Sequence, residues 1–197
     1  MRGSTKSMSI VMFLGRDIKE YEEKSMEIAE NAIKEGNILC ELCLRPMAYH
    51  SSYVRGIKET GDQITITMVW CKKCRKWHAL LPEFLLPKKH YSGNEIESVI
   101  IDSETTAVDQ IDTKASGSTI RRWLKQICKR IERAAGILKY HFGHDGRAVN
   151  EVAIDTGYCY RELEQVLEMA PRMVRQCGNK LGLANIWLNT CGMAVYI

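Results

Sequence analysis

The 197-residue sequence predicts an α+β fold, a small metal-stabilised β module joined to a mainly α-helical region, on three observations. Two cysteine pairs, Cys40-x-x-Cys43 and Cys71-x-x-Cys74, stand with 27 residues between them. The stretch between the pairs ends in ITITMVW, a β-branched run with two-residue alternation. From Ser92 onward, apolar residues recur every three to four positions, the period of a helix with one buried face. These signals divide the chain into an N-terminal helix (1–38), a zinc ribbon (39–79), an apolar linker (80–91), a helix-turn-helix (92–135) and a C-terminal helical packing or oligomerisation region (136–197).

Asp17 to Glu35 reads as a helix. Ile18, Tyr21, Ser25, Ile28, Ala29, Ala32 and Ile33 share one face, Asp17 can cap the start with Glu20 completing a capping-box spacing, and Gly36 can end it. The opposite face is acidic and solvated. Next, Ala48–Ile57 and Gln63–Trp70 read as two strands, with 58–62 as their turn. Two thiolates from each knuckle make a four-sulfur shell. At about 2.3 Å per bond that shell is tetrahedral and closed to water, so the expected cofactor is one structural Zn2+ held by Cys40, Cys43, Cys71 and Cys74. A thioredoxin-like site needs one pair at a strand-to-helix junction, and neither pair sits there. A disulfide framework implies secretion. The apolar patch Ile10–Leu14 is shorter than a signal-peptide core and has no small-residue cleavage site after it. His78, four residues after Cys74, could substitute for a ligand, but four cysteines suffice. Trp70 and Trp77 flank the second knuckle and are expected to pack over the thiolates.

Pro82 and Pro87 mark a boundary, an apolar one in which Leu80, Leu81, Phe84, Leu85 and Leu86 are expected to dock the ribbon on the helical region. Ser92 caps a helix running to about Asp102, a short second helix fits Glu104–Ile111, and 112–117 is a turn. Ser118 is expected to cap a third helix reaching about Ala135, with Ile120, Trp123, Leu124, Ile127, Ile131 and Ala135 buried. Three helices with a short turn before a basic third one match a helix-turn-helix, whose third helix enters the major groove of duplex DNA. Ser118, Thr119, Arg121, Arg122, Lys125 and Lys129 are the candidate contacts on it, arginine being long enough for bidentate guanine readout. Lys72, Lys73, Arg75 and Lys76, around the second knuckle, either offset the −2 charge of a four-thiolate zinc site or meet phosphates.

Beyond 135, Tyr160–Ala170 reads as an amphipathic helix, and Pro171 can begin another carrying Met173, Val174 and Cys177. The tail LGLANIWLNTCGMAVYI suits core packing or an oligomer interface. Cys128, Cys159, Cys177 and Cys191 are isolated and read as small buried apolar residues, not as a second site with His141 and His144. Met8 offers an alternative start, and MRGS is a common appended leader.

Net charge is +4, and its distribution says more than its size. Residues 44–91 carry nine Lys/Arg against three acids, and 119–133 carry six against one, whereas 92–118 carry one against six. Basic charge gathered on the ribbon and one helix is the footprint expected for a phosphate-backbone partner. No apolar run reaches the length of a membrane span, so a soluble cytoplasmic protein with no membrane partner is expected. There is no phosphate-binding glycine loop, HExxH or nucleophile elbow, and Asp145, Glu151 and Asp155 lack the strands of a nuclease site, so no enzymatic activity is expected.

From Cys40 to about Arg133 the chain resembles an uncharacterised, transposon-associated zinc-ribbon plus helix-turn-helix family of Gram-positive bacteria. It is similar there to the N-terminal regions of insertion-sequence transposases. The residues that carry the resemblance are CELC, WCKKCRKWHALLPEFLLPKKHYS and STIRRWL. The resemblance implies a nucleoid-associated DNA-binding protein of a mobile element, an accessory or targeting factor or a transcriptional regulator. It assigns the four cysteines to zinc and places Arg121 and Arg122 on a recognition helix. A recombinase or transposase is the implied protein partner, and a homodimer would pair half-sites. The alternative is an adaptor that reads no DNA and docks its ribbon and apolar tail onto such a machine.

Overall fold

The structure, a computed structural model, describes residues 8–144, 159–168 and 178–190. Among them lie a four-stranded sheet and five α-helices. In chain order these are β1 (Met8–Met12), α1 (Ile18–Glu35), β2 (Ala48–Gly56), β3 (Gln63–Cys71), β4 (Lys76–Pro82), α2 (Gly93–Asp102), α3 (Gly117–His144), α4 (Cys159–Glu168) and α5 (Lys180–Thr190). The sheet order is β1-β4-β3-β2, with β1 parallel to β4 and the other pairs antiparallel. The apolar patch near the N-terminus is thus an edge strand of the same sheet that carries the cysteines. Its partner, residues 76–82, runs straight across the boundary expected between ribbon and linker at 79/80.

Helix α1 starts and stops on the expected signals. Asp17 accepts the Glu20 N–H at 2.8 Å, Glu20 accepts the Arg16 N–H at 2.8 Å, and Gly36 adopts a left-handed φ of 64° that lets its N–H reach the Ala32 carbonyl. The helix lies on the sheet. Its buried Tyr21 donates to the Leu80 carbonyl at 2.6 Å, and Ser25 shares a hydrogen bond with Thr67 at 2.9 Å. Ile33, expected on the inner face, is instead 56% exposed and borders an open depression beside the second knuckle.

The opposite face of the sheet is partly covered by the chain leaving β4. Leu80, Leu81 and Leu85 belong to the sheet's core, and Leu86 belongs to a second core formed by the helices. Ile96, Trp123, Ile127, Ile131, Leu163, Leu181 and Leu188 fill that second core. Leu124, expected inside, is half-buried. The expected second helix at 104–111 reduces to one 3-10 turn, Val108–Gln110. The expected cap Ser118 is exposed, and Ser116 holds the cap position instead, accepting the Thr119 N–H at 3.4 Å and, through its carbonyl, the Ile120 N–H at 3.0 Å. Helix α3 runs nine residues beyond Ala135, to His144, along the apolar stripe of Leu138 and Phe142.

Helix α5 joins the two cores. Asn189 donates to the Val11 carbonyl at 3.0 Å, and Ile186 packs on the sheet's core while Leu181 and Leu188 pack on the helical one. The fit is tight at Gly182, where a Cβ would run into the Glu83 carbonyl. On α2, Glu97 receives the N–H groups of Lys180 (2.7 Å) and Leu181 (3.3 Å), an anionic cap on the positive end of α5. The helix expected from Pro171, the ends of the chain, Asp145, Glu151, Asp155, Cys177 and Cys191 lie outside the described residues.

Candidate functional site

The four cysteines come together. One sulfur from each of Cys40, Cys43, Cys71 and Cys74 lies within 4.8 Å of the other three. A tetrahedral shell with 2.3 Å metal–sulfur bonds requires sulfur–sulfur separations of about 3.8 Å, so small side-chain shifts close it around an ion. The Cys43 and Cys71 sulfurs already stand 3.5 Å apart.

The two knuckles have the same backbone. The residue after each pair turns left-handed, Leu44 at φ 53° and Arg75 at φ 52°. Each sends its N–H back to the first cysteine's carbonyl, Leu44 to Cys40 at 2.8 Å and Arg75 to Cys71 at 2.9 Å. In the second knuckle the Cys74 N–H also points at the Cys71 sulfur, 3.4 Å away. Non-glycine residues rarely adopt this conformation, and here two do so at matching positions around one point. Cys40 and Cys71 are buried in the sheet's core, and Cys43 and Cys74 are half-buried toward solvent.

Four thiols this close cannot all ionise. Burial pushes Cys40 up, and Cys74, donating to Cys43, is pushed up to about 12. Desolvation of the half-buried Cys43 opposes its ionisation, but the Arg45 N–H and the neighbouring thiols bring its pKa down to about 7. Thiols this close oppose one another's ionisation, and a divalent cation is what makes four thiolates compatible.

His78 is fully buried beside the cluster, its Nε2 3.9 Å from the Cys40 sulfur, and burial holds its pKa below the usual imidazole value. It sits behind a ligand and does not replace one. Trp70 and Trp77 do not cover the thiolates as expected. Trp70 precedes Cys71 in β3, so the two side chains take opposite faces. Trp77 pairs with Trp70 across the strands, and both pack with His50 at centroid distances of 5.5 to 6.0 Å on the open face. Ile38, Met47 and Val69 join the buried sulfurs in the core instead.

The basic residues fall into separate groups. Lys72 and Lys73 border a shallow depression of about 560 Å³ with Arg45 and Ile33, and Arg75 and Lys76 complete the turn of the second knuckle. On α3, Arg121, Lys125 and Lys129 are exposed at four-residue spacing and form one stripe. Thr119 and Arg122 belong to another. With Gln126 and Arg130 they line a cleft of about 420 Å³ opposite Lys58, Lys88, Lys89 and His90. Sequence reasoning missed Arg130 and the four residues from the sheet side as candidate contacts. The basic run Lys88-Lys89-His90 was visible, but only the fold sets it against α3. No helix among the described residues is long and apolar enough to cross a membrane.

The site is thus a four-cysteine cluster able to hold a metal ion, on a sheet tied to a helical region with cationic surfaces. Residues 40–123 are similar to a protein family described as a domain of unknown function (DUF6431). That match runs from the first ligand through both knuckles to Trp123 in the second turn of α3. No curated protein matches the chain, and no solved structure does.

Proposed function

We propose that this is a zinc-containing, non-enzymatic DNA-binding protein in which the four-cysteine ribbon stabilises the sheet and the basic helix α3 meets duplex DNA as the reading helix. The observation that carries the reading is the charge on α3. Arg121, Arg122, Lys125, Lys129 and Arg130 are exposed, and the described ion pairs (Lys24–Glu20, Arg161–Glu104 and Lys180–Glu164) involve none of them. Exposed cations outside the described ion pairs, set along one helix, suit phosphates and guanine edges. Zinc is the metal that suits four thiolates in a closed tetrahedron. A mobile-element setting, with the protein as accessory factor or regulator, rests on the resemblance of residues 40–133.

The test is fluorescence anisotropy of the zinc-loaded protein on duplex DNA across a salt series, beside Arg121→Ala/Arg122→Ala. Binding that weakens steeply with salt and is lost in the variant is the expected result. Absence of binding, or binding that the variant leaves unchanged, would sink the reading. A second reading, an adaptor docking on a recombinase, draws on the exposed Leu39, Leu42 and Leu44 around the first knuckle, Leu44 being 74% exposed.

A further inference from the structure

The cleft between α3 and the loop at 87–91 gathers basic side chains from both walls. Lys58, Lys88, Lys89 and His90 enter it from the sheet side and Arg122 and Arg130 from α3, and no carboxylate is among its described lining residues. None of the described ion pairs involves these residues.

The loop is held in place, not merely exposed. The buried Arg55 guanidinium donates to the Leu86 carbonyl at 3.0 Å and to the Lys89 carbonyl, and the Lys58 N–H donates to the His90 carbonyl at 2.8 Å. Lys88 takes a left-handed φ of 61°, which costs a residue with a Cβ about 1 kcal/mol. Lys89 is half-buried, and its pKa is lowered by that burial and then by Arg130 and Arg122. Like charges are thus brought together at a pinned, strained loop, and an anion is the partner that would offset them. Arg122 and Arg130 lie on one line of α3, eight residues and therefore about 12 Å apart, too far to share a single phosphate closely.

We propose that this cleft seats backbone phosphates of nucleic acid, clamping the strand between the Lys88-Lys89 loop and the Arg122–Arg130 line of α3. The Arg121, Lys125 and Lys129 stripe is left free for other contacts. The identity of the ligand rests on the DNA reading above, and its anionic character rests on the cleft alone.

Two measurements on the zinc-loaded full-length protein separate these. In the first, inorganic pyrophosphate is titrated into 15N-labelled protein. Amide shifts are expected at Lys88–Tyr91 and Thr119–Arg130, and they vanish in Lys89→Gln/Arg130→Gln but persist in Arg121→Ala. In the second, the slope of log affinity against log salt on duplex DNA falls by about two in the Lys89→Gln/Arg130→Gln variant, close to one for each phosphate no longer neutralised. Both substitutions relieve like-charge repulsion, so the melting temperature should not drop. If it does, Lys58→Gln/Lys88→Gln on the facing wall makes the same test. Absence of pyrophosphate shifts in the cleft, or an unchanged salt slope in a folded variant, overturns the clamp. Duplex binding by a protein whose cleft variants behave as wild type leaves the DNA reading standing without the clamp. Pyrophosphate binding in the cleft with no duplex binding keeps an anion site, overturns the nucleic-acid assignment and removes the DNA reading with it.

Discussion

Glu83 places a carboxyl group where the two cores meet, and its protonation should set how stability depends on pH. The residue is 4% exposed, and its Oε2 has no hydrogen-bond partner among the described residues. Its backbone carbonyl accepts from Asn179, the residue that caps α5. Burial raises the carboxyl pKa from 4.5 to about 7, with a smaller push from the Glu20 charge. The folded state therefore holds a proton that the unfolded state gives up between about pH 4.5 and 7. Stability from this group is present below the unfolded value and is lost as pH rises through 7. At 1.4 kcal/mol per pKa unit the loss is at most about 3 kcal/mol. Glu83→Gln keeps the shape and removes the titration. Urea denaturation of both proteins from about pH 4 to about pH 8.5 should show near-equal stability at the acid end and an advantage for the variant that grows between about pH 4.5 and 7 and then levels off. In melting temperature that advantage is about 2 to 4 °C per kcal/mol for a chain of this size. Parallel pH profiles for the two proteins would refute the reasoning, because they would mean that Glu83 ionises as freely folded as unfolded.

Three further outcomes are expected. The purified protein should carry one zinc per chain by elemental analysis, and Cys71→Ala, which removes a fully buried ligand, should lose the metal and the cooperative unfolding of the sheet. Trp123→Ala should cost about 3 to 5 kcal/mol in chemical denaturation, since Trp123 is 2% exposed in the helical core and packs edge-on with Tyr91 at 5.0 Å. Gly182→Ala should cost about 1 to 3 kcal/mol, because its methyl group would meet the Glu83 carbonyl and lift α5 off the junction, whereas Gly136→Ala on the exposed side of α3 should stabilise slightly.

Several local signals were enough by themselves. The cap at Asp17 and the stop at Gly36 depend on side chains and φ preferences within one turn, and both ends of α1 fall there. Paired CxxC knuckles encode their own geometry, so the four-sulfur cluster was legible from spacing alone. The strands at 48–56 and 63–71 declared themselves through alternation and a polar turn. Errors arose where a neighbour distant in sequence decides. Five residues, Met8–Met12, form a strand because β4 offers an edge to pair with, and no local pattern distinguishes that from a short apolar patch. Residues 104–111 carry enough helical spacing to suggest a helix, yet the connection from α2 to α3 leaves room for one turn. Proximity in sequence puts Trp70 and Trp77 over the thiolates, and strand pleating takes them away from the cluster. The cationic cleft is the clearest case. Lys58, the run at 88–90 and Arg130 are far apart in the chain, and only the hydrogen bonds of Arg55 and the packing of α3 bring them onto facing walls. Composition and periodicity can report which residues a chain has and which face they take. Which two faces meet is settled by the burial of both cores together, a property of the whole chain.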